Sequence, residues 1–268
     1  MDKLKIALAS YLTDNKYVYW KVVNCIVVLE KLKNTITNES RSDVMCKEYA
    51  LFRANQLSVV KIIDIMTQES FNGIKKRRYY EVGEIVEDYD YDENVNDVHS
   101  NGIFYFLRLE PAFYYNKKVD DNETYVQWYD NGQKKLECTL CDGMVQGKSF
   151  IWHRNGVKYA EYNNIDGKLE GKCLEWFDDG TLSIEWNFKN GLKNGIECHM
   201  HENGKKKFEC TYADDKKNGK YEEWYDDGKM RTVTEYKNNM RHGKHIHWLP
   251  NGDIKIECHY ENGKMIKN

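Results

Sequence analysis

The chain has 268 residues, of which 41% are hydrophobic and 31% charged, with a formal net charge of −3. That length holds one large or two modest domains, and the charge supplies no overall attraction to nucleic acid or anionic lipid. The 20 tyrosines against 2 prolines favour extended strands over loops. No apolar run approaches the roughly 18 residues that a membrane-crossing helix needs.

The first stretch, MDKLKIALASYLTDNKY, has two lysines and then an apolar patch too short for a secretory leader, and it is expected to form a short amphipathic helix. Two β-branched runs, YVYWKVVNCIVVLEKL (17–32) and LSVVKIIDIM (57–66), predict strands. Between them, SRSDVMCKEYALFRANQ opens on Ser and Asp, which suit a helix N-cap, and a helix is expected there. YYEVGEIVEDYD (79–90) predicts a further strand, and EPAFYY (110–115) the start of a short helix. Residues 1–118 are therefore expected to be a small α+β domain. The order KYVYWKV, MCKEYALFRANQLSVVKI, then YYEVGEIVEDYDYDENVNDVHSNGIFYFLRLEPAFYY resembles a domain of unknown function found in giant-virus proteins, where it is joined to pentapeptide or other repeats. That domain ends in a cysteine followed by G-I-H-F-F. Here His99 stands at the cysteine position and Phe104 at the histidine position, so the resemblance carries no chemistry for those two side chains.

From about residue 119 the chain becomes periodic. Gly132, Gly156, Gly180, Gly204, Gly228 and Gly252 are 24 residues apart, and Gly147, Gly171, Gly195, Gly219 and Gly243 repeat the beat at an offset of 15. Trp128, Trp152, Trp176, Trp224 and Trp248 form a third series, with Met200 in the remaining place. Asn or Asp precedes each glycine of the first series, which predicts a type I′ hairpin turn there, and the second glycine series is expected to mark the returning turn. The pairs Phe150/Trp152, Leu174/Trp176 and Ile246/Trp248 are two apart and share a face of their strand. After the turn, Leu136, Ala160, Ile184, Phe208 and Ile256 are followed two residues on by Cys138, Tyr162, Trp186, Cys210 and Cys258. Glu137, Glu161, Glu185, Glu209 and Glu257 alternate with them, and with Lys135, Lys207, Arg231 and Lys255 nearby they predict a charge-paired, solvated side. The expectation is a mainly β fold over 119–268: tandem 24-residue hairpins forming an elongated single-layer antiparallel meander.

The pattern G-K-x-x-x-W-x-x-x-G, closed by N-G or D-G, resembles MORN-type repeats in their variant form, found in antitoxin-like bacterial proteins and in proteins of giant DNA viruses. The resemblance covers residues 124–268 in five to six copies and implies a spacer or a platform for partners with an aromatic groove.

Several motifs invite specific chemistry. DYDYDEN (88–94) alternates carboxylates as a calcium loop does, but its sixth and twelfth places hold Glu93 and His99 instead of Gly and Glu, so a solvated acidic loop is expected. Cys138 and Cys141 form a CxxC pair without a second pair at zinc spacing. His242, His245, His247, Cys258 and His259 cluster at the end of the array, and KKRR (75–78) is read as a loop before a strand. No metal or cofactor is expected. The eight cysteines show no compact framework and are read as free thiols of a soluble, intracellular protein, in a host cytoplasm or a virion if the origin is viral. No phosphate loop or nucleophile motif is present, so catalysis is not expected.

The functional expectation is a non-enzymatic interaction scaffold or spacer, taking a protein partner or a second copy of itself but no nucleic acid or small-molecule substrate. Its candidate partner-binding residues are Trp128, Trp152, Trp176, Trp186, Tyr212, Trp224, Tyr236, Trp248 and Tyr260, since Trp and Tyr dominate binding hot spots. The alternatives are peripheral membrane attachment, for which Lys134-Lys135 and Lys205-Lys206-Lys207 would serve, and antitoxin-like neutralisation of a toxin.

Overall fold

A computed structural model describes residues 1–117 and 122–266. The chain folds as two units, Met1–Lys118 with Val126–Lys135, and Val119–Tyr125 with Leu136–Asn268. The first Asn-Gly hairpin turn therefore belongs to the N-terminal unit.

That unit contains strands β1 (Tyr17–Val22), β2 (Cys25–Glu30), β3 (Leu51–Ala54), β4 (Gln56–Asp64), β5 (Ser70–Phe71), β6 (Gly73–Lys75), β7 (Tyr79–Glu81), β8 (Ile85–Glu87) and β9 (Ile103–Phe106). Its main sheet runs β3-β9-β1-β2-β4-β5, with β8 also on β4, and β6 pairs with β7 apart from it. One face carries Val18, Val27, Leu29, Phe52, Leu57 and Tyr105. The other carries Tyr19, Ile26, Val28, Ile63 and Phe106 under Leu4 and Leu8 from the N-terminal helical turns and Leu109 and Phe113 from the helix Leu109–Tyr114. A sheet covered on both sides needs apolar residues at successive positions. The run CIVVLE shows this, with its first five residues all buried.

The run 17–32 is a hairpin, with Val22 opposite Cys25 and Val23 at φ 56 in the turn. The helix expected within 41–57 is absent: Leu51–Ala54 is a strand paired with 103–106, and all four of its residues are buried. ALFRA spaces its apolar groups for a strand buried on both faces, and the segment before it is occupied by the buried Arg41, which donates to the carbonyls of Leu51 and Asp130 and to Asp43. YYEVGEIVEDYD is two short strands, β7 and β8, parted by Gly83 at φ 91.

The repeats form a fifteen-stranded antiparallel sheet in which the strands pair with their chain neighbours from 124–128 to 264–266. Two turns alternate, and the type I′ turn is not at the glycine series where it was expected. At Asn155-Gly156, the Gly156 N–H donates to His153 O (3.0 Å) and the His153 N–H to Val157 O (2.8 Å). Only the glycine has positive φ (86). This is a three-residue loop, a type I turn closed by a left-handed residue. The Asn or Asp is there for a different reason from the one its sequence suggests. In all six loops its Oδ1 accepts the backbone N–H two residues on, at 2.7–3.1 Å. The type I′ turns are the two-residue ones at Asp142-Gly143, Asp166-Gly167, Asn190-Gly191, Asp214-Asp215, Asn238-Asn239 and Asn262-Gly263, where both φ angles are positive. The second glycine series lies within strands and not at turns. Between the pairs Cys210↔Tyr221 and Tyr212↔Lys217, four steps of one strand oppose two of the other, and Gly219 at φ 114 sits in that bulge.

The register also decides the faces. Residues directly opposite in an antiparallel pair point the same way. Phe150 opposes Glu161, Ile151 opposes Ala160, and Ser149 opposes Tyr162. Leu174 opposes Glu185, and Cys173 opposes Trp186. Trp152, Trp176, Trp224 and Trp248 thus share a face with the glutamate series. Trp186, Tyr212, Tyr236 and Tyr260 lie on the other, with Ala160, Cys173 and Cys210.

A Cβ added at Gly132 would lie 1.9 Å from Cys46 O, whereas at Gly252 nothing lies within 4 Å. Gly132→Ala is therefore expected to destabilise at least twice as much in urea titrations as Gly252→Ala, whose positive φ alone costs about 1–2 kcal/mol. Equal costs would show that Gly132 does not approach that carbonyl.

Candidate interaction surface

On the tryptophan–glutamate face most of the glutamates take a lysine of the same face. Lys148 and Lys158 both pair with Glu161 (2.8 and 3.0 Å), Lys172 with Glu185 (2.9 Å), Lys206 with Glu209 (2.5 Å), Lys220 with Glu222 (2.6 Å) and Lys244 with Glu257 (2.8 Å). These lysines come from the paired strands and the loop-side strand positions; of the neighbours expected from sequence, Arg231 pairs with Glu223 (3.0 Å) on the other face, and Lys207 and Lys255 take part in none of these pairs. Glu209 and Glu222 are directly opposed, and each keeps its own lysine. The ammonium groups also cover the rings: Lys158 Nζ is 4.9 Å from the Phe150 centroid and 5.4 Å from that of Trp176, and Lys206 is 5.7 Å from Trp224. Each exposed pair contributes little alone. Together they leave a face of half-buried tryptophans under matched charge.

The tyrosine face is built differently. At one repeat position stand Val145, Leu169, Lys193, Lys217 and Arg241; four residues on come Ser149, Cys173, Glu197, Tyr221 and His245. Only the Lys193 repeat contains its own counter-charge. Glu197 Oε1 accepts from Trp186 Nε1 (3.1 Å) and His199 Nε2 (2.8 Å), and Oε2 lies 3.0 Å from Lys193 Nζ. Burial raises the Glu197 pKa, but the His199, Lys193 and Trp186 bonds outweigh it and bring it down to about 2. A file of rings continues from there: His199–Phe208 centroids at 4.1 Å, Phe208–Tyr221 at 5.9 Å and Tyr221–Tyr236 at 6.1 Å. Lys217 Nζ lies over Tyr221 (4.9 Å) and Tyr236 (5.3 Å), and Arg241 over Tyr260 (5.3 Å). No carboxylate among the described residues pairs with Lys217 or Arg241.

The nine candidate aromatic residues are thus not one groove. Four are on the tryptophan–glutamate face and four on the tyrosine face. Trp128 is in the N-terminal unit, stacked on Tyr49 at 5.2 Å and 9°. Sequence reasoning missed Lys193, Lys217, Arg241 and Glu197, although the 24-residue beat marks their positions, because the bulge at each second glycine changes the alternation it must be counted through.

The remaining motifs have structural uses. The acidic loop around DYDYDEN surrounds the guanidinium of Arg53, a fully buried side chain. Arg53 donates to the carbonyls of Asp92, Asn94, Asp97 (2.7 Å) and Asn101 (3.0 Å). The cation at the centre of the loop is a side chain of the protein. Arg78 of KKRR pairs with Asp88 and donates to Glu87 O (3.0 Å). His247 Nδ1 lies 3.0 Å from Thr232 Oγ1, and His153 Nε2 donates to Trp176 O (3.0 Å). His259 is opposite Lys244, across the sheet from His245. Cys138 is buried, which raises its thiol pKa, and the eight cysteines are free. Among the described residues no group of three or more His, Cys, Asp or Glu could hold a metal, and no helix is long and apolar enough to cross a membrane.

Protonation of Glu197 gives a stability test. Its folded pKa lies below the ordinary 4.5, so its contribution is complete above pH 4.5 and lost as pH falls towards 2. Glu197→Gln is expected to cost on the order of 2–3 kcal/mol at pH 6, with the gap to the parent protein closing by pH 2.5. An equal gap at both pH values would contradict this.

Four consecutive segments, residues 169–190, 193–214, 217–238 and 241–262, match the family model described as MORN repeat variant. Each runs to the first residue of a two-residue turn. No curated protein matches the chain. Repeats of this kind are generally protein- or membrane-interaction modules, and the matched part of this chain is similar to them.

Proposed function

We propose that the protein is a non-enzymatic interaction scaffold and that the tyrosine face of its repeat sheet is the contact surface for a partner protein. The observation that carries this reading is the asymmetry between the faces. One has lysines, glutamates and tryptophans matched to each other. The other presents half-buried rings and, in its last two repeats, the cations Lys217 and Arg241, which pair with no carboxylate among the described residues. Groups satisfied within the chain gain little from a partner, whereas half-covered aromatic rings and cations without a carboxylate gain from one.

A protein partner is favoured over a membrane because two of the three lysines in the 205–207 cluster that would meet lipid are otherwise engaged. Lys206 pairs with Glu209, and Lys205 Nζ donates to Asp227 O (2.8 Å). The histidines also have fixed partners: His199 on Glu197 and His201 Nε2 on Trp224 O (3.2 Å). That suits a framework better than a proton-transfer site.

Photo-crosslinking tests the choice of face. A benzophenone side chain placed at Tyr212 or Tyr260 in the full chain is expected to trap a partner protein in the native cell. One placed at Lys220 or Lys244 is expected to trap none. Equal trapping from both faces, or trapping from the lysine positions alone, would overturn the reading.

A further inference from the structure

The internal repetition supplies its own control for what a cation on the tyrosine face binds. In the Lys193 repeat the position four residues on is Glu197, and the ammonium rests 3.0 Å from its carboxylate. In the next two repeats the cations remain as Lys217 and Arg241, but the carboxylate position holds Tyr221 and His245. These two repeats border a cleft of roughly 400 Å³, lined by Lys217, Thr234, Tyr236, Arg241 and His245 among others. Its rim adds Arg231, Lys255 and Glu223, and Glu223 is taken by Arg231 at 3.0 Å. The cleft is thus strongly cationic in a protein whose formal net charge is −3.

A second observation marks the same place. His245 is only 6% exposed, and its Nδ1 has no hydrogen-bond partner. A buried polar atom without a partner is uncommon and carries a desolvation cost that a bound polar group would remove.

We propose that this cleft receives an acidic segment of a partner protein, with Lys217 and Arg241 each meeting a carboxylate in the way that Lys193 meets Glu197. The two cations stand two strands apart and both reach Tyr236, so one short segment can meet both. A protein segment fits better than a lipid surface. Both cations rest over tyrosine rings at 4.9–5.3 Å, where a chain laid along the sheet can reach them together with the rings. This rests on the reading of the tyrosine face as the interaction surface and names the chemistry of what binds there.

The test uses the full chain, a fluorescein-labelled octaglutamate peptide and its octaglutamine counterpart, read by anisotropy. Octaglutamate is expected to bind and octaglutamine not to, with affinity falling as salt rises. Lys217→Glu/Arg241→Glu should weaken octaglutamate binding at least tenfold. Lys189→Glu/Lys237→Glu, the same charge change on the opposite face, should leave it within twofold. Lys217→Gln/Arg241→Gln serves if the reversed pair does not fold. Binding that is absent at low salt, or unchanged in the Lys217/Arg241 variants, would overturn the proposal. So would binding to phosphatidylserine vesicles, lost in the same variants, without binding to octaglutamate. If Tyr212 still crosslinks a partner while octaglutamate fails, the acidic chemistry is wrong and the tyrosine-face reading stands; loss of that crosslinking removes the reading itself.

Discussion

The register of the repeat sheet depends on where its backbone adopts positive φ. Each 24-residue unit does so at the glycine that closes the three-residue loop, at both residues of the type I′ turn, and at the glycine in the bulge. Slipping a strand by one residue exchanges its two faces, so these positions determine which side chains meet. Glu161 reaches Lys148 and Lys158, and Trp186 reaches Glu197, because loop and bulge each consume a fixed number of residues. A single sheet has no second layer over most of its area, so its side chains must satisfy each other across strands. Any change in loop count would scatter those partners.

The choice between Asn and Asp in the loops also has a use. Both supply the Oδ1 acceptor, but only the amide adds a donor. Asn155 Nδ2 reaches Asp178 O and Asn203 Nδ2 reaches Asp226 O, both at 2.7 Å, so these loops are tied to the next repeat. On the other edge, the second residue of five of the two-residue turns donates to a carbonyl of the preceding repeat, as Gly191 N to Leu169 O (2.9 Å) and Asn239 N to Lys217 O (2.9 Å). Neighbouring units are joined along both edges and between them, which is how a quasi-one-dimensional array holds together.

The period, the hairpins and the meander were legible because glycine and Asn or Asp at fixed spacing leave few alternatives for the backbone. The turn types were not, since Asn-Gly suits a type I′ turn and an Asx-closed type I loop alike; only the strand pairing counts the loop residues. The shared face of Trp152 and Glu161 was hidden for the same reason, because alternation read through a loop and a bulge loses its phase. In the N-terminal unit the apolar strands and the helix at Leu109–Tyr114 could be read. The strand at Leu51–Ala54 could not, because its burial on both faces comes from strands and helices far away in sequence. Nothing local to Arg53 indicates that the acidic loop forty residues on closes around it.

The central claim is that Trp152, Trp176, Trp224 and Trp248 lie on one face with the glutamate series, and Trp186 on the other with Tyr212, Tyr236 and Tyr260. Nuclear Overhauser contacts in the full chain, with lysine and aromatic residues selectively labelled, test it most directly. The structure predicts contacts from the Lys158 ε-methylene to the Trp176 ring and from Lys206 to Trp224, with both methylenes shifted upfield by the rings beneath them. It predicts the Trp186 indole close to His199 and Phe188. Contacts between the rings of Trp176 and Trp186, with unshifted lysine methylenes, would place both on one face and contradict the account.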